Sequence, residues 1–128
     1  MNPSQTPERL FAVRGANTVA SNDADAIGAA TRSLLEEIIA RNALDPDSIV
    51  SCIFTTTDDL DAEFPAVAAR EMGLERVPLL CAREIDVPGA MSSLVRVMVH
   101  YYGDQDHTPE PVYLGDAIKL RTDLGASS

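Results

Sequence analysis

The chain has 128 residues, 45% of them hydrophobic and 23% charged, with 20 acidic side chains against 10 basic ones and a net charge of −10. That length and balance fit one domain with a modest core and give no ground for a second. The acidity argues against nucleic acid and anionic membrane as partners, since both need basic patches, and no apolar run approaches the ~20 residues of a membrane span.

Residues 1–8 are polar, carry two prolines and are expected to be disordered. No charged-plus-apolar leader opens the chain, so the expected location is the cytoplasm. Arg9 to Thr18 reads as a strand of β-branched and aromatic residues interrupted by Gly15. Asn22, three residues before Asp25, is the expected cap of a helix that carries Ile27, Thr31, Leu34, Leu35 and Ile38 on one face. Asp45-Pro46 starts a short turn with proline at a first helical position. Ile49 to Thr56 is a buried strand by its β-branched density. After the polar stretch Thr57 to Asp61, Pro65 opens a second helix, Ala66 to Met72, which Gly73 ends.

Val77 to Ile85 reads as a third strand, followed by the turn Asp86-Val87-Pro88-Gly89 with Pro and then Gly at central positions. The long strand Leu94 to Tyr102 alternates, placing Leu94, Arg96, Met98 and His100 on one face and Val95, Val97, Val99 and Tyr101 on the other. Gly103 to Pro111 is a surface loop, Val112 to Leu114 a short strand, and Ala117 to Leu120 one more turn or strand. The expected organisation is a single domain over residues 9–124 with a flexible tail over 125–128. This order predicts an α+β domain, one mixed sheet with helices packed on one face. Two helices cover only one face, and several strands are apolar on both, so the uncovered face is expected to pack against another subunit.

The chemistry narrows by exclusion. The sequence has no G-x-S-x-G, H-E-x-x-H, P-loop or G-x-G-x-x-G motif. Cys52 and Cys81 lack C-x-x-C spacing and the two histidines stand apart, so neither a disulfide framework nor a zinc site is indicated. Arginines stand out instead. Arg96 interrupts the apolar run Leu94 to Val99, Glu84 closes another such run twelve residues earlier, and Arg14 and Arg121 sit in similar settings. A guanidinium keeps its charge when buried and needs an anionic partner. Arg14, Arg70, Arg96 and Arg121 are therefore candidate anion binders, with Glu84 and Tyr113 as hydrogen-bonding groups and Cys81 as a weakly polar neighbour. Such a set can bind and orient an anionic small molecule.

Several segments, weak singly, become specific in their order and spacing: Val13-Arg14-Gly15-Ala16-Asn17-Thr18-Val19, Thr57-Asp58-Asp59-Leu60, Phe64-Pro65-Ala66 with Ala69-Arg70-Glu71, Val77 through Val87, Arg96-Val97-Met98, and Val112-Tyr113-Leu114 with Leu120 through Leu124. From Phe11 to Leu124 the chain resembles the small monofunctional chorismate mutases of the trimeric α/β-barrel type. The resemblance implies conversion of chorismate to prephenate by a [3,3] rearrangement without cofactor or covalent intermediate. It also implies a homotrimer, a pseudo-α/β-barrel with active sites between adjacent subunits.

By the same resemblance Arg14, Glu84 and Arg96 form the catalytic set. Arg14 and Tyr113 are expected to bind the enolpyruvyl carboxylate, and Arg96 to reach that carboxylate and the ether oxygen. Glu84 and the backbone at Cys81 are expected to meet the ring hydroxyl. Phe64, Leu79 and Leu120 are expected as apolar walls, Leu80, Ala82 and Arg83 as further substrate-binding positions, and Arg70 and Arg121 as residues of the mouth. Leu80 and Val67 occupy pocket-edge positions where the resemblance implies a smaller polar residue and a basic residue in the best-known member.

The residues also admit plainer readings. An arginine in a strand is more often an ion-pair residue than a catalytic one, Glu84 can pair with Arg14 or near Arg83, and Cys81 can be a small buried hydrophobe. Phe64 can be a hydrophobic staple for the second helix, and Tyr113 a core tyrosine with a satisfied hydroxyl. His100 and His107 are given no role. Two other functions fit parts of the pattern: an imine deaminase-like trimeric enzyme, and a catalytically silent module that binds an aromatic-pathway metabolite. The first would lack the Cys81 to Glu84 segment followed by Arg96, and the second could dispense with Arg96.

Overall fold

The computed structural model describes residues 7–121. Strand β1, Glu8–Thr18, alternates along its first half, burying Phe11 and Val13 while Leu10, Ala12 and Arg14 face outward. It starts at Glu8 rather than Arg9, because β4, Leu94–Asp104, runs two residues past the expected Tyr102 and pairs Asp104 with Glu8. Residues 1–6 of the expected disordered segment, and the tail, lie outside the described residues.

Helix α1, Ala24–Arg41, buries Ile27, Thr31, Leu34, Leu35 and Ile38, the face that the spacing predicted. Its cap is Asp23 and not Asn22: Asp23 Oδ1 accepts from the Ala26 amide at 2.8 Å. Asn22 is committed elsewhere. Its Nδ2 donates to Asp61 Oδ1 at 2.7 Å, and its Oδ1 accepts from the amides of Asp61 and Ala62. The amide of Asn22, donor and acceptor at once, suits that bridge. At the other end, Asn42 is buried and satisfied, donating to the carbonyls of Ile38 and Glu110 and accepting from the Glu110 amide at 2.7 Å.

After a 3₁₀ turn, Pro46–Ser48, strand β2 spans Ile49–Thr56, as read from its β-branched residues. Helix α2, Pro65–Ala69, runs into a wide turn, Arg70–Leu74, where Gly73 takes a φ of 98° that other residues rarely adopt. Strand β3, Leu79–Arg83, is shorter than the expected Val77 to Ile85. Pro78 has no N–H and offers only its carbonyl, which accepts from Cys52 N at 3.0 Å. The turn that follows runs Val87 to Ala90, closed by Ala90 N donating to Val87 O, with Gly89 at φ 86°. Strand β5 is Val112–Tyr113, and Ala117 to Leu120 is helical, a 3₁₀ turn, Gly115–Ala117, leading into α3, Ile118–Arg121.

The five strands form one mixed sheet in the order β3-β2-β4-β1-β5. Pairs β1–β4 and β2–β4 are antiparallel, while β2–β3 and β1–β5 are parallel. One face is covered by α1 and α2. There Phe11, Val13, Cys52, Phe54, Val97, Val99 and Tyr101 meet Leu34, Leu35, Ile38, Ala66 and Ala69 in the main core. Each large side chain fully buried in this way contributes about 1.5–3 kcal/mol. Gly15 permits the contact: a Cβ there would lie 2.7 Å from Ile38 Cδ1 and 2.9 Å from Leu34 Cδ1.

Among the described residues, the other face carries no long helix. Across it the register aligns Leu80, Ile53, Met98 and Arg14 in one row, and Ala82, Thr55, Arg96, Ala16 and Tyr113 in the next. The C-terminal turns cover one end, where Ala117 and Leu120 pack on Ala16, Leu94 and Tyr113. The rest stays open, with Leu10, Ile53, Leu80 and Tyr102 exposed.

Candidate active site

The open face holds a pocket of about 260 Å³ lined by Arg14, Gly15 and Ala16 of β1, Ile53 and Thr55 of β2, Arg96, Val97 and Met98 of β4, Tyr113 of β5, and Glu84. Glu84 stands just past β3, its amide donating to the Thr56 carbonyl at 2.9 Å. Arg14, Glu84, Arg96 and Tyr113, distant in sequence, thus converge because adjacent strands bring them into register.

The charges are arranged unevenly. Arg96 Nε lies 3.5 Å from Glu84 Oε2, with the two side chains 31% and 22% exposed. The Nε is buried and has no hydrogen-bond partner among the described residues. Glu84 Oε2 instead accepts from the Thr55 hydroxyl. Among the described residues, two guanidinium groups and one carboxylate line this pocket. Such a lining attracts an anion while the partly buried setting strengthens the attraction.

Glu84 and Arg96 also border a neighbouring cavity of about 340 Å³ lined by Thr57, Asp58, Asp59, Asp86 and Met91 among others. Asp59 fixes its wall by accepting from the Ser93 amide at 2.9 Å and the Ser93 hydroxyl at 2.9 Å. Hydrogen bonding from Thr57, then from Ser93, holds the Asp59 carboxyl below its ordinary range.

A family model described as chorismate mutase type I matches residues 10–124. The chain belongs to the type I chorismate mutase family. It is 44% identical over 115 residues to chorismate mutase AroH of Thermus thermophilus, spanning 88% of this chain and 93% of that protein. It is 40% identical over 115 residues to chorismate mutase AroH of Bacillus subtilis, spanning 88% and 90%. Among solved structures, a chorismate mutase from Clostridium thermocellum matches with a TM-score of 0.81 at 48% identity, covering 86% of this chain and 99% of that one. The resemblance carried by the sequence motifs is borne out, and so is the mixed sheet with helices on one face.

The other positions expected from the chorismate mutase resemblance do not gather at the same pocket. Phe64, Cys81, Ala82 and Arg83 border a separate cleft of about 350 Å³ at the β3 edge. Phe64, 66% exposed, precedes α2 without stapling it into the core. Arg83 is engaged with the preceding loop, its Nη1 donating to the carbonyls of Thr57 at 3.0 Å and Leu60 at 2.9 Å. Leu79 is half-buried against the main core, Leu80 lies exposed on the open face, and Arg70 is exposed after α2. Leu120 is half-buried beside Tyr113, and the Arg121 side chain lies outside the described residues.

Among the described residues no group of His, Cys, Asp and Glu could hold a metal ion. Sequence reasoning missed Thr55, Ile53 and Met98. The period-two pattern of β2 was the available signal for the first two, but only the β2–β4 register sets Thr55 beside Arg96 and Ile53 beside Met98.

Proposed function

We propose that this chain converts chorismate to prephenate, with Arg14, Glu84, Arg96 and Tyr113 as the core of its site. The observation that carries the assignment of residues is the Arg96 guanidinium, its Nε buried, without a hydrogen-bond partner among the described residues and held beside Glu84. Chorismate is a dicarboxylate with an enolpyruvyl ether and a ring hydroxyl. In its [3,3] rearrangement the ether C–O bond breaks as a C–C bond forms, all within one molecule, with no proton, oxidant or leaving group exchanged. Bond breaking runs ahead, so negative charge grows on the ether oxygen. A donor fixed there binds the transition state better than the substrate, and one such donor supplies about 3–4 kcal/mol.

In this reading Arg96 is that donor, and Arg14 and Tyr113 hold the enolpyruvyl carboxylate. Glu84 accepts from the ring hydroxyl together with the backbone at Cys81. Holding the flexible arm over the ring adds an orientation term. Phe64, Leu79 and Leu120 serve as apolar walls, Leu80, Ala82 and Arg83 are further substrate-binding positions, and Arg70 and Arg121 meet the second carboxylate at the mouth.

The working unit is a homotrimer with each site shared between neighbours. Two features support this: the open sheet face with exposed Leu10, Ile53, Leu80 and Tyr102, and the separation of the Phe64 group from the Arg96 group. The proposed setting is the cytoplasm, in keeping with two unpaired thiols, Cys52 and Cys81. No helix among the described residues is long and apolar enough to cross a membrane.

The deciding assay is the loss of chorismate absorbance with purified protein. Steady turnover to prephenate supports the reading. Binding without turnover would leave a metabolite-binding module, and activity only on imines would leave a deaminase-like enzyme.

A further inference from the structure

We infer that Thr55 is a positioning residue for this rearrangement, holding the Glu84 carboxylate at a set distance from Arg96 so that the guanidinium keeps its donors for the substrate. The inference rests on the functional reading given above. Thr55 stands between Arg96 of β4 on one side and Ala82 of β3 on the other. Its hydroxyl donates to Glu84 Oε2, the same oxygen that stands 3.5 Å from Arg96 Nε. A carboxylate beside a guanidinium ordinarily closes into a hydrogen-bonded pair. Here it does not, and the Nε has no hydrogen-bond partner among the described residues.

The geometry explains how the arrangement holds. The Glu84 backbone is pinned by its amide to the Thr56 carbonyl, and its side chain is pinned one residue away by Thr55. Both anchors lie at the end of β2, between strands on either side. Threonine is β-branched and stiff at χ1, so its hydroxyl is a fixed point rather than a roaming donor. Glutamate is flexible, and loss of that donor would free the carboxylate to swing onto Arg96. The Arg96 guanidinium would then be drawn into a hydrogen-bonded pair with Glu84, and the ring-hydroxyl acceptor would be displaced as well. Thr55 touches neither bond that breaks or forms. It acts through Glu84 and Arg96.

Thr55→Val keeps the branched shape and removes the donor; Thr55→Ser keeps the donor. With chorismate as substrate, Thr55→Val should lower kcat roughly 10- to 100-fold, the scale of one hydrogen bond to a charged group. KM should change less than about 3-fold, because Arg14 and Tyr113 still hold the carboxylate. Thr55→Ser should retain most of the wild-type kcat. In a Glu84→Ala background the Thr55→Val change should cost almost nothing further, since the group it positions is gone. Wild-type kcat in Thr55→Val, equal losses in Thr55→Val and Thr55→Ser, or an undiminished loss in the Glu84→Ala background would each overturn the inference while leaving the functional reading intact. Absence of chorismate turnover by the wild-type protein would overturn both.

Discussion

Glu84 Oε2 stands 3.5 Å from Arg96 Nε, near enough for charge attraction, yet no hydrogen bond joins them. The pair explains how an arginine can sit inside the apolar strand Leu94–Asp104 without a full ion pair. The carboxylate offsets the charge, and the residue lines the same pocket as Arg14 and Tyr113.

Replacing Arg96 with citrulline isolates its charge from its shape. The neutral analogue keeps the outline and part of the hydrogen bonding. Electrostatic stabilisation of the ether oxygen predicts a kcat lower by at least about 10²-fold, the scale of one oriented donor. KM should rise far less, since Arg14 and Tyr113 still grip the enolpyruvyl carboxylate. Near-normal kcat would assign the rate to shape and orientation alone.

Acidity should leave the chemical step alone. The rearrangement transfers no proton, so kcat measured across neutral pH should be flat, without the bell of an acid–base pair. A bell-shaped kcat profile centred near neutrality would contradict the proposed mechanism.

Assembly is the next test. Leu80 is 61% exposed and lies in one row with Ile53 and Met98, an apolar strip that ends at Arg14 and leads into the pocket. Sedimentation should give a species of three 13.7 kDa chains. Leu80→Glu, which places a charge in that strip, should shift the protein toward monomer and lower activity together. A wild-type monomer with full activity would refute shared sites.

Much of the fold was legible because its signals were local. The bounds of β2 follow from β-branched residues and the buried face of α1 from helical spacing. The arginines were legible as chemistry, since charge inside apolar runs demands a partner. What could not be read depends on contacts distant in sequence. Asn22 is a good cap by type, but the loop at Asp61 and Ala62 takes its amide, leaving the cap to Asp23. Thr55 looked like any strand threonine until the register placed it between Ala82 and Arg96. Asn42 gave no sign that it would tie the end of α1 to Glu110, 68 residues away.

That tie is itself testable. Asn42 makes two donor contacts and accepts one, all in a buried setting. Asn42→Ala takes the side-chain partner from the Glu110 amide and the Glu110 carbonyl, while the Ile38 carbonyl keeps the backbone N–H of residue 42. It should destabilise the protein by about 1–3 kcal/mol in denaturant unfolding. An unchanged midpoint would mean that water replaces the amide at no cost.

The two thiols should differ in chemistry. Burial pushes the Cys52 thiol up to about 11 from 9.0. A thiol-specific reagent at pH 8 should therefore label the half-buried Cys81 and spare Cys52 until the protein unfolds. The sign for stability follows. The folded state holds this proton more tightly than the unfolded chain, so the contribution is intact below pH 9.0 and is lost as pH rises toward about 11. Equal labelling of both cysteines under native conditions would contradict the burial of Cys52.

The C-terminal segment separates binding from catalysis. Leu120 packs on Ala16, Leu94 and Tyr113, at the edge of the pocket rather than within it. Truncation before Leu120 removes an apolar wall and the mouth residue Arg121, which in the proposed reading hold substrate and transition state alike. Uniform binding of this kind sets KM. The truncated protein should therefore show a KM raised several-fold or more with a kcat closer to wild type. Collapse of kcat at constant KM would instead place Leu120 or Arg121 in contact with the reacting centre, and the mouth assignment would have to be withdrawn.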